Sequence, residues 1–372
     1  MTGLDFAATR LRQLFRKTAK PAHSEPSEPI DTEPYETEPD YAASEVEVTT
    51  AVSETGRRDR YYTSSDGLRL HVAEYGDTIS PWLPVVCIPG LSRSARDFHE
   101  LALHLSTHRQ RPRRVLAFDL RGRGLSEWDK DIAHYTPLVE MQDVLDGMAA
   151  LRVDRAVVVG TSRGGIIAML MAVARPSVLA GIVINDIGPA IEARGLARLK
   201  TYIGRTPAPD DWDDAVRILR RLHGGQFNAL DDEEWWAFAR MTWRDEEGLP
   251  TSDYDPALAR TFDGVEFDRP MPTLWREFAA MGAIPFLAIR GENSDILSAE
   301  TLARMEREHP RFDHIMIAGE GHAPLLIRSA VLQRISAFAM ATEGPAAPLD
   351  AIIPQEGSGF DLDSPTKTNG PA

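Results

Sequence analysis

Ser162 is the residue whose type and neighbours first point to chemistry, because it stands between glycines at the end of an apolar segment. The β-branched residues 157–159 predict a buried strand before it, and the apolar stretch 166–174 predicts a helix after it. Gly160 and Gly164 complete the spacing G-x-S-x-G, which is typical of a tight strand-to-helix turn that exposes the serine hydroxyl. Such a serine can act as a nucleophile, although the motif alone is equally typical of a serine that caps a helix.

An acid and a base follow two other predicted strands. Asp295 comes after the strand 286–289, and His322 comes after the strand 315–317. Because ligands of a parallel sheet bind beyond the carboxyl ends of its strands, these loops can meet the turn that carries Ser162. The chain order Ser, Asp, His then supplies a nucleophile, an acid and a base at one site.

Asp186 is the alternative acid, because it also follows a predicted strand, at 182–184. The residues after it, Ile-Gly-Pro, predict a turn, in which Asp186 would cap the turn or pair with Arg163. We therefore predict that Asp295 orients His322. The side chain of Arg163 could instead meet a carboxylate of a substrate, and the sequence leaves that alternative open.

The elements that must position these residues alternate between strands and helices. The predicted strands are 85–88, 115–118, 156–160, 182–184, 286–289 and 315–317, and the predicted helices are 95–106, 137–150, one from 162, 298–308 and 322–341. This alternation predicts an α/β fold with a mostly parallel central sheet covered by helices on both faces. We assign it to residues 57–342, with a tryptophan-rich helical cap inserted at about 189–270.

The two ends of the chain have a different composition from this domain. Residues 1–20 form a short basic segment that could be helical and make weak contact with a membrane or a protein, or could simply be solvated. Residues 21–56 hold ten acidic residues, no Lys or Arg and five prolines, which predicts a disordered tether. Residues 343–372 are predicted to be a second disordered tail.

Charge and composition exclude several classes of protein. The net charge is −15, and the mildly acidic body argues against nucleic acid as a partner. Cys87 is the only cysteine, so no disulfide can form within the chain. Without a long apolar run or a secretory signal, the sequence predicts a cytoplasmic protein. The histidines and carboxylates show no metal-ligand spacing, so we expect neither a metal nor an organic cofactor, and the oligomeric state is not indicated.

Over about residues 59–342 the sequence resembles the α/β-hydrolase family, and specifically its bacterial branch with a helical cap. The segments that carry the resemblance are Cys87–Leu91, the pattern D-x-R-G-x-G-x-S at 119–126, GTSRGG around Ser162, NDIGP at 185–189, RGENSD ending at Asp295 and GEGHAP around His322. Pro89 stands where many members of the family have a histidine.

The resemblance implies a role for each residue of the site. Ser162 matches the nucleophile, His322 the general base, and Asp295 the acid that holds the imidazole. The oxyanion hole would be built from the backbone N–H groups of Leu91 and Arg163. The implied reaction has two steps, in which an acyl-serine forms and water then hydrolyses it.

The substrate is open within this family. We expect a small molecule with a carboxylic ester or lactone, and no cofactor. Cleavage of a carbon–carbon bond beside a ketone, or peroxide-dependent acyl chemistry, would use the same residues. A serine in place of an aspartate nucleophile argues against epoxide hydrolases and haloalkane dehalogenases. A non-catalytic binding protein of the same fold is the alternative of another class, and a complete triad argues against it.

Overall fold

The computed structural model describes the backbone of residues 47–52 together with residues 56–267 and 271–343. The strands in these residues are β1 (Glu47–Val52), β2 (Arg58–Thr63), β3 (Arg69–Tyr75), β4 (Val85–Ile88), β5 (Val115–Phe118), β6 (Ala156–Thr161), β7 (Leu179–Asn185), β8 (Trp243–Glu246), β9 (Leu249–Ser252), β10 (Phe286–Gly291) and β11 (Phe312–Ile317). The helices are α1 (His99–Ser106), α2 (Pro137–Ala150), α3 (Arg163–Ala174), α4 (Ala193–Tyr202), α5 (Trp212–His223), α6 (Asp232–Thr242), α7 (Trp275–Ala279), α8 (Ala299–Glu308) and α9 (Ser329–Thr342).

All strands except β8 and β9 form one central sheet, in the order β1-β2-β3-β5-β4-β6-β7-β10-β11. The pairs β1–β2, β2–β3 and β3–β5 are antiparallel. The remaining pairs, β5–β4, β4–β6, β6–β7, β7–β10 and β10–β11, are parallel. The inner strands β4, β5, β6, β7 and β10 are buried along their whole length. Strands that are buried on both faces need unbroken apolar sequences, which is why these segments are rich in valine, isoleucine and leucine.

Helices cover both faces of the sheet, which confirms the predicted fold class. Successive residues of a strand point to opposite faces of the sheet. Val86 therefore packs in the apolar cluster that contains α2 and α3, whereas Val85 packs in the cluster that contains α1 and α9. The predicted last helix starts later than expected, at Ser329, because residues 322–328 form the loop that carries His322.

The segment between β7 and β10, which contains the predicted cap, forms α4, α5 and α6 and also the hairpin β8–β9. Residues of α5 and α6 build their own apolar cluster, and Leu325 of the sheet domain packs into it. The helical interpretation of this segment missed the hairpin. Its turn has positive φ at Glu247 and Gly248, which suits the twist of a two-residue hairpin loop.

Both ends of the predicted domain need correction. Residues 47–52, which we predicted to be part of a disordered tether, form β1 against β2, because the prolines stop at Pro39 and valine and threonine follow. At the other end, the carboxylate of Glu343 accepts hydrogen bonds from Arg111, from the buried Arg113 and from the N–H of Leu83, so the folded part includes this residue.

The remaining predictions for the ends, namely the basic segment 1–20, residues 21–46 and 53–55 of the tether and the tail from 344 onwards, lie outside the described residues. Within the part of the chain that the structure describes, no helix has the length and apolar character needed to cross a membrane.

Candidate active site

Ser162 lies on the turn between β6 and α3, in the position that its sequence motif predicts. Its φ of 50° is uncommon for a residue with a side chain, and its N–H donates to the carbonyl of Asn185 at 3.0 Å. A Cβ on Gly160 would lie 2.5 Å from the carbonyl of Gly164, and a Cβ on Gly164 would overlap the carbonyl oxygen of Ile88. The turn is therefore sharp because both flanking residues lack side chains.

His322 contacts the serine hydroxyl directly. Its Nε2 atom lies 2.8 Å from Oγ of Ser162, and its Nδ1 atom lies 2.9 Å from Oδ2 of Asp186. Both His322 and Asp186 are buried. A hydroxyl, an imidazole and a carboxylate in this sequence of hydrogen bonds form an arrangement that can move a proton from the serine to the histidine.

The prediction that Asp295 holds His322 is wrong in this structure. Both carboxylate oxygens of Asp295 accept hydrogen bonds from Arg198 of α4, at 2.6 and 2.9 Å. Burial raises the pKa of Asp295, but the hydrogen bonds and the charge of Arg198 outweigh burial and leave this pKa below its ordinary value. Asp295 is thus an ionised partner of Arg198, at the border between the sheet domain and the cap.

The loop after β10 supports Asp186 rather than supplying the acid itself. The N–H of Gly291 donates to Oδ1 of Asp186 at 2.8 Å, and the hydroxyl of Ser294 donates to Oδ2 at 2.6 Å. Strands β7 and β10 are neighbours, so the acids that follow them emerge at the same edge of the sheet. Strand order therefore does not choose between the two carboxylates; the contacts of Asp186 with Gly291, Ser294 and His322 do.

The two residues predicted to form an oxyanion hole flank the serine. Arg163 is the first residue of α3 and follows Ser162 directly, and Leu91 comes from the loop after β4. A Cβ on Gly90 would lie 3.8 Å from the Cβ of Ser162, so the loop of Leu91 lies next to this serine. Within the described residues, the N–H of Leu91 donates to no other group.

The side chain of Arg163 does not pair with Asp186, which was one of the alternatives that the sequence left open. It turns away to Glu140 of α2, whose Oε2 lies 2.6 Å from Nε of Arg163. The other oxygen of Glu140 lies 2.8 Å from Nη1 of Arg123, and Nε of Arg123 donates to the carbonyl of Leu91 at 2.7 Å. The buried carboxylate of Glu140 therefore contacts both arginines. One of them, Arg163, is itself a predicted oxyanion residue, and the other, Arg123, contacts the second one, Leu91.

Burial raises the pKa of Glu140, but the charges and hydrogen bonds of Arg163 and Arg123 outweigh burial and keep this pKa below its ordinary value. Glu140 is thus an ionised carboxylate with no exposed surface. Sequence reasoning missed it, because a single glutamate on a predicted helix carries no signal of its distant partners.

Glu140→Gln is expected to lower the free energy of unfolding by about 3–5 kcal/mol, because it leaves two buried guanidinium groups without their shared counter-charge. Urea unfolding measures this loss. Glu300→Gln, on the exposed side of α8, is the control and should change stability by no more than about 1 kcal/mol. Equal stabilities of the two variants would show that the buried carboxylate does not hold these arginines together.

Ser162 and His322 lie in the wall of a cavity of about 180 Å³ between the sheet domain and the cap. Most of its lining is apolar, and the apolar side chains include Leu91, Leu199, Tyr202, Ile203, Leu219, Leu222, Phe238, Met241, Trp243, Leu325 and Leu326. Such a lining favours a substrate whose reacting group is attached to a hydrocarbon chain.

One group of potential metal ligands occurs in the described residues, away from the serine. Asp66, Asp129 and His134 bring ligand atoms within 4.8 Å of one another. Arg121 already donates hydrogen bonds to both carboxylates, at 2.8 and 2.5 Å. A guanidinium group therefore supplies the positive charge that these carboxylates need.

Comparison with known families agrees with this geometry. The profile described as the Alpha/beta hydrolase family matches residues 85–333, which is well over half of the chain. The chain therefore belongs to the α/β-hydrolase family, as its motifs indicated, and is a hydrolase.

Two curated bacterial proteins and one solved structure illustrate the range of similar hydrolases. An α/β hydrolase of Novosphingobium aromaticivorans is 37% identical with a TM-score of 0.70, over 76% of this chain and 98% of that one. A 3-hydroxybutyrate-oligomer hydrolase of Cupriavidus necator is 29% identical over 70% of this chain and 89% of its own length. A 2-(acetamidomethylene)succinate hydrolase of Mesorhizobium japonicum is 24% identical over 63% of this chain and 79% of its own.

Proposed function

We propose that this chain is a serine hydrolase that cleaves a carboxylic ester or lactone of a small molecule through an acyl-serine intermediate. The observation that carries the proposal is the hydrogen-bonded sequence Asp186–His322–Ser162 in the wall of an apolar cavity. The residue that completes the triad is Asp186, in place of the Asp295 that the sequence suggested.

In the first step His322 takes the proton of Ser162 through Nε2 while the hydroxyl oxygen attacks the carbonyl carbon of the ester. Asp186 accepts a hydrogen bond from Nδ1, which fixes the tautomer and stabilises the imidazolium that forms. The imidazolium then gives its proton to the leaving alkoxide. In the second step His322 takes a proton from water while the water oxygen attacks the acyl carbon. The bond between that carbon and Oγ then breaks, and the imidazolium returns the proton to Ser162 as the carboxylic acid leaves.

The negative charge on the carbonyl oxygen is proposed to rest on the N–H groups of Leu91 and Arg163. Each well-placed donor of this kind contributes about 3–4 kcal/mol to lowering the barrier. The arginine–glutamate network fits this role, because Arg123 holds the carbonyl side of the Leu91 residue while Glu140 holds the side chain of Arg163.

The similarity to a 3-hydroxybutyrate-oligomer hydrolase supports an ester with a short aliphatic chain. Such a substrate matches the mostly apolar lining of the cavity, since burial of its hydrocarbon part is favourable by about 25 cal/mol per Å².

The test is to trap the intermediate. With p-nitrophenyl butyrate we expect a burst of nitrophenol close to one equivalent per active site if deacylation is slower than acylation, and acid quenching should leave a butyryl group on the peptide that contains Ser162. Mass spectrometry of the quenched digest locates the group. A burst that leaves no acyl-peptide, or an acyl group on another residue, would contradict the proposed mechanism.

A further inference from the structure

His223 is a polar side chain in the cavity wall that the proposed mechanism does not use. It is the last residue of α5, is 8% exposed, and lines the same cavity as Ser162 and His322. Neither of its ring nitrogens has a hydrogen-bond partner among the described residues, and its Nδ1 atom is fully buried. A ligand in the cavity can therefore reach the ring only at Nε2, which keeps accessible surface and has no hydrogen-bond partner in the described residues.

The imidazole of His223 is neutral. Burial lowers its pKa to about 3, and the charges of Arg198 and Arg93 act in the same direction. A neutral imidazole offers one N–H donor and one nitrogen acceptor, so it can bind a hydroxyl or a carbonyl oxygen without adding a charge to the cavity.

Aromatic neighbours hold the ring in place without using its polar atoms. The ring packs edge-on against Tyr202 and Phe227 and is tilted against Phe238, with centroids 5.3, 6.1 and 5.4 Å away. Phenylalanine could make all of these ring contacts, so packing alone does not explain a histidine at this position.

Arg93, a cation of the same wall, is not available in the same way. Its guanidinium group donates to both carboxylate oxygens of Asp97 and to the hydroxyl of Thr242. His223 therefore differs from Arg93, because its ring nitrogens make no hydrogen bond with the described residues.

We propose that His223 forms a polar subsite that hydrogen-bonds an oxygen atom of the substrate other than the oxygen of the reacting carbonyl. This inference rests on the proposed function and narrows its substrate class. The preferred esters carry a hydroxyl or a second ester group on an otherwise aliphatic chain, as short hydroxyacyl esters do. A plain alkyl ester would bind in the same cavity but would leave the imidazole without a partner.

The experiment compares p-nitrophenyl 3-hydroxybutyrate with p-nitrophenyl butyrate, which differ by one hydroxyl. We expect the unchanged protein to prefer the hydroxylated ester at least tenfold in kcat/KM, because a site built around a hydrogen bond discriminates against a substrate that lacks it. His223→Phe keeps the ring packing and should lose this preference, so that the ratio of the two kcat/KM values falls to within about threefold of one.

The melting curve of His223→Phe shows whether this variant folds. If it does not fold, a second variant replaces it in the same comparison. His223→Gln retains a donor and an acceptor and should keep part of the preference for the hydroxylated ester. An unchanged ratio in the folded variants, or an equal fall for both esters, would overturn the proposed subsite. Failure of the unchanged protein to cleave either ester would instead count against the proposed function itself.

Discussion

Asp186→Asn is expected to lower kcat by about 10⁴-fold, which is the loss that the same change of the triad acid causes in a serine protease. The amide oxygen of asparagine would still accept from the N–H of Gly291, so its NH2 group would face Nδ1 of His322. An N–H that donates to Nδ1 moves the imidazole proton to Nε2, which then cannot accept the proton of Ser162. Steady-state kinetics with a p-nitrophenyl ester measures the effect. Asp186 also accepts hydrogen bonds from Gly291 and Ser294, at the end of β10 and in the loop after it. The melting temperature of the Asp186→Asn variant should therefore be measured together with its kcat.

Asp295→Asn is the matched control, since it makes the same chemical change on the neighbouring loop. Asp295 is engaged with Arg198 and has no hydrogen bond to His322 among the described contacts. We expect kcat to stay within about tenfold, with any larger effect appearing in KM or stability through α4. If kcat fell by orders of magnitude in Asp295→Asn but not in Asp186→Asn, the acid would have to be reassigned to Asp295.

Ser162→Ala is expected to lower kcat by about 10⁵–10⁶-fold, as removal of a nucleophile from a serine triad does. It should also abolish covalent labelling by a fluorophosphonate probe. The hydroxyl of Ser162 makes no capping bond to α3, and its hydrogen bond goes to His322, so the loss of stability should be small.

The control for labelling is the unchanged protein incubated with the probe, which should gain one adduct on the peptide containing Ser162. Circular dichroism of Ser162→Ala should match the original spectrum. Persistent labelling in the folded variant would place the nucleophile elsewhere, and full esterase activity without Ser162 would refute the serine mechanism.

The sequence alone predicted the central strands of the sheet and named two of the three proposed triad residues. Buried parallel strands must be apolar along their whole length, so β4, β5, β6, β7 and β10 stand out between the helices. The turn at Ser162 requires glycine on both sides for steric reasons, so the G-x-S-x-G spacing can be recognised in the sequence. His322 was found because it follows the last strand.

The cap was predictable only in outline, because its structure depends on packing against itself. The hairpin β8–β9 has strands of four residues each, too short for a clear alternating pattern. The wall of the cavity combines α4, α5 and α6 with loops of the sheet domain. That His223 and Ser162 line one cavity therefore follows from tertiary structure alone.

The choice of the acid shows where local sequence ceases to be informative. Asp186 and Asp295 follow strands that are far apart in the chain but adjacent in the sheet, and both carboxylates emerge near His322. What selects Asp186 is its backbone, with a φ of 58°, together with the N–H of Gly291 and the hydroxyl of Ser294, while Arg198 draws Asp295 away. The strands that carry Ser162, Asp186, Asp295 and His322 can be read from local patterns, because burial and steric limits act on neighbouring residues. Which carboxylate reaches the histidine cannot be read in this way, because it depends on partners more than ninety residues distant in the chain.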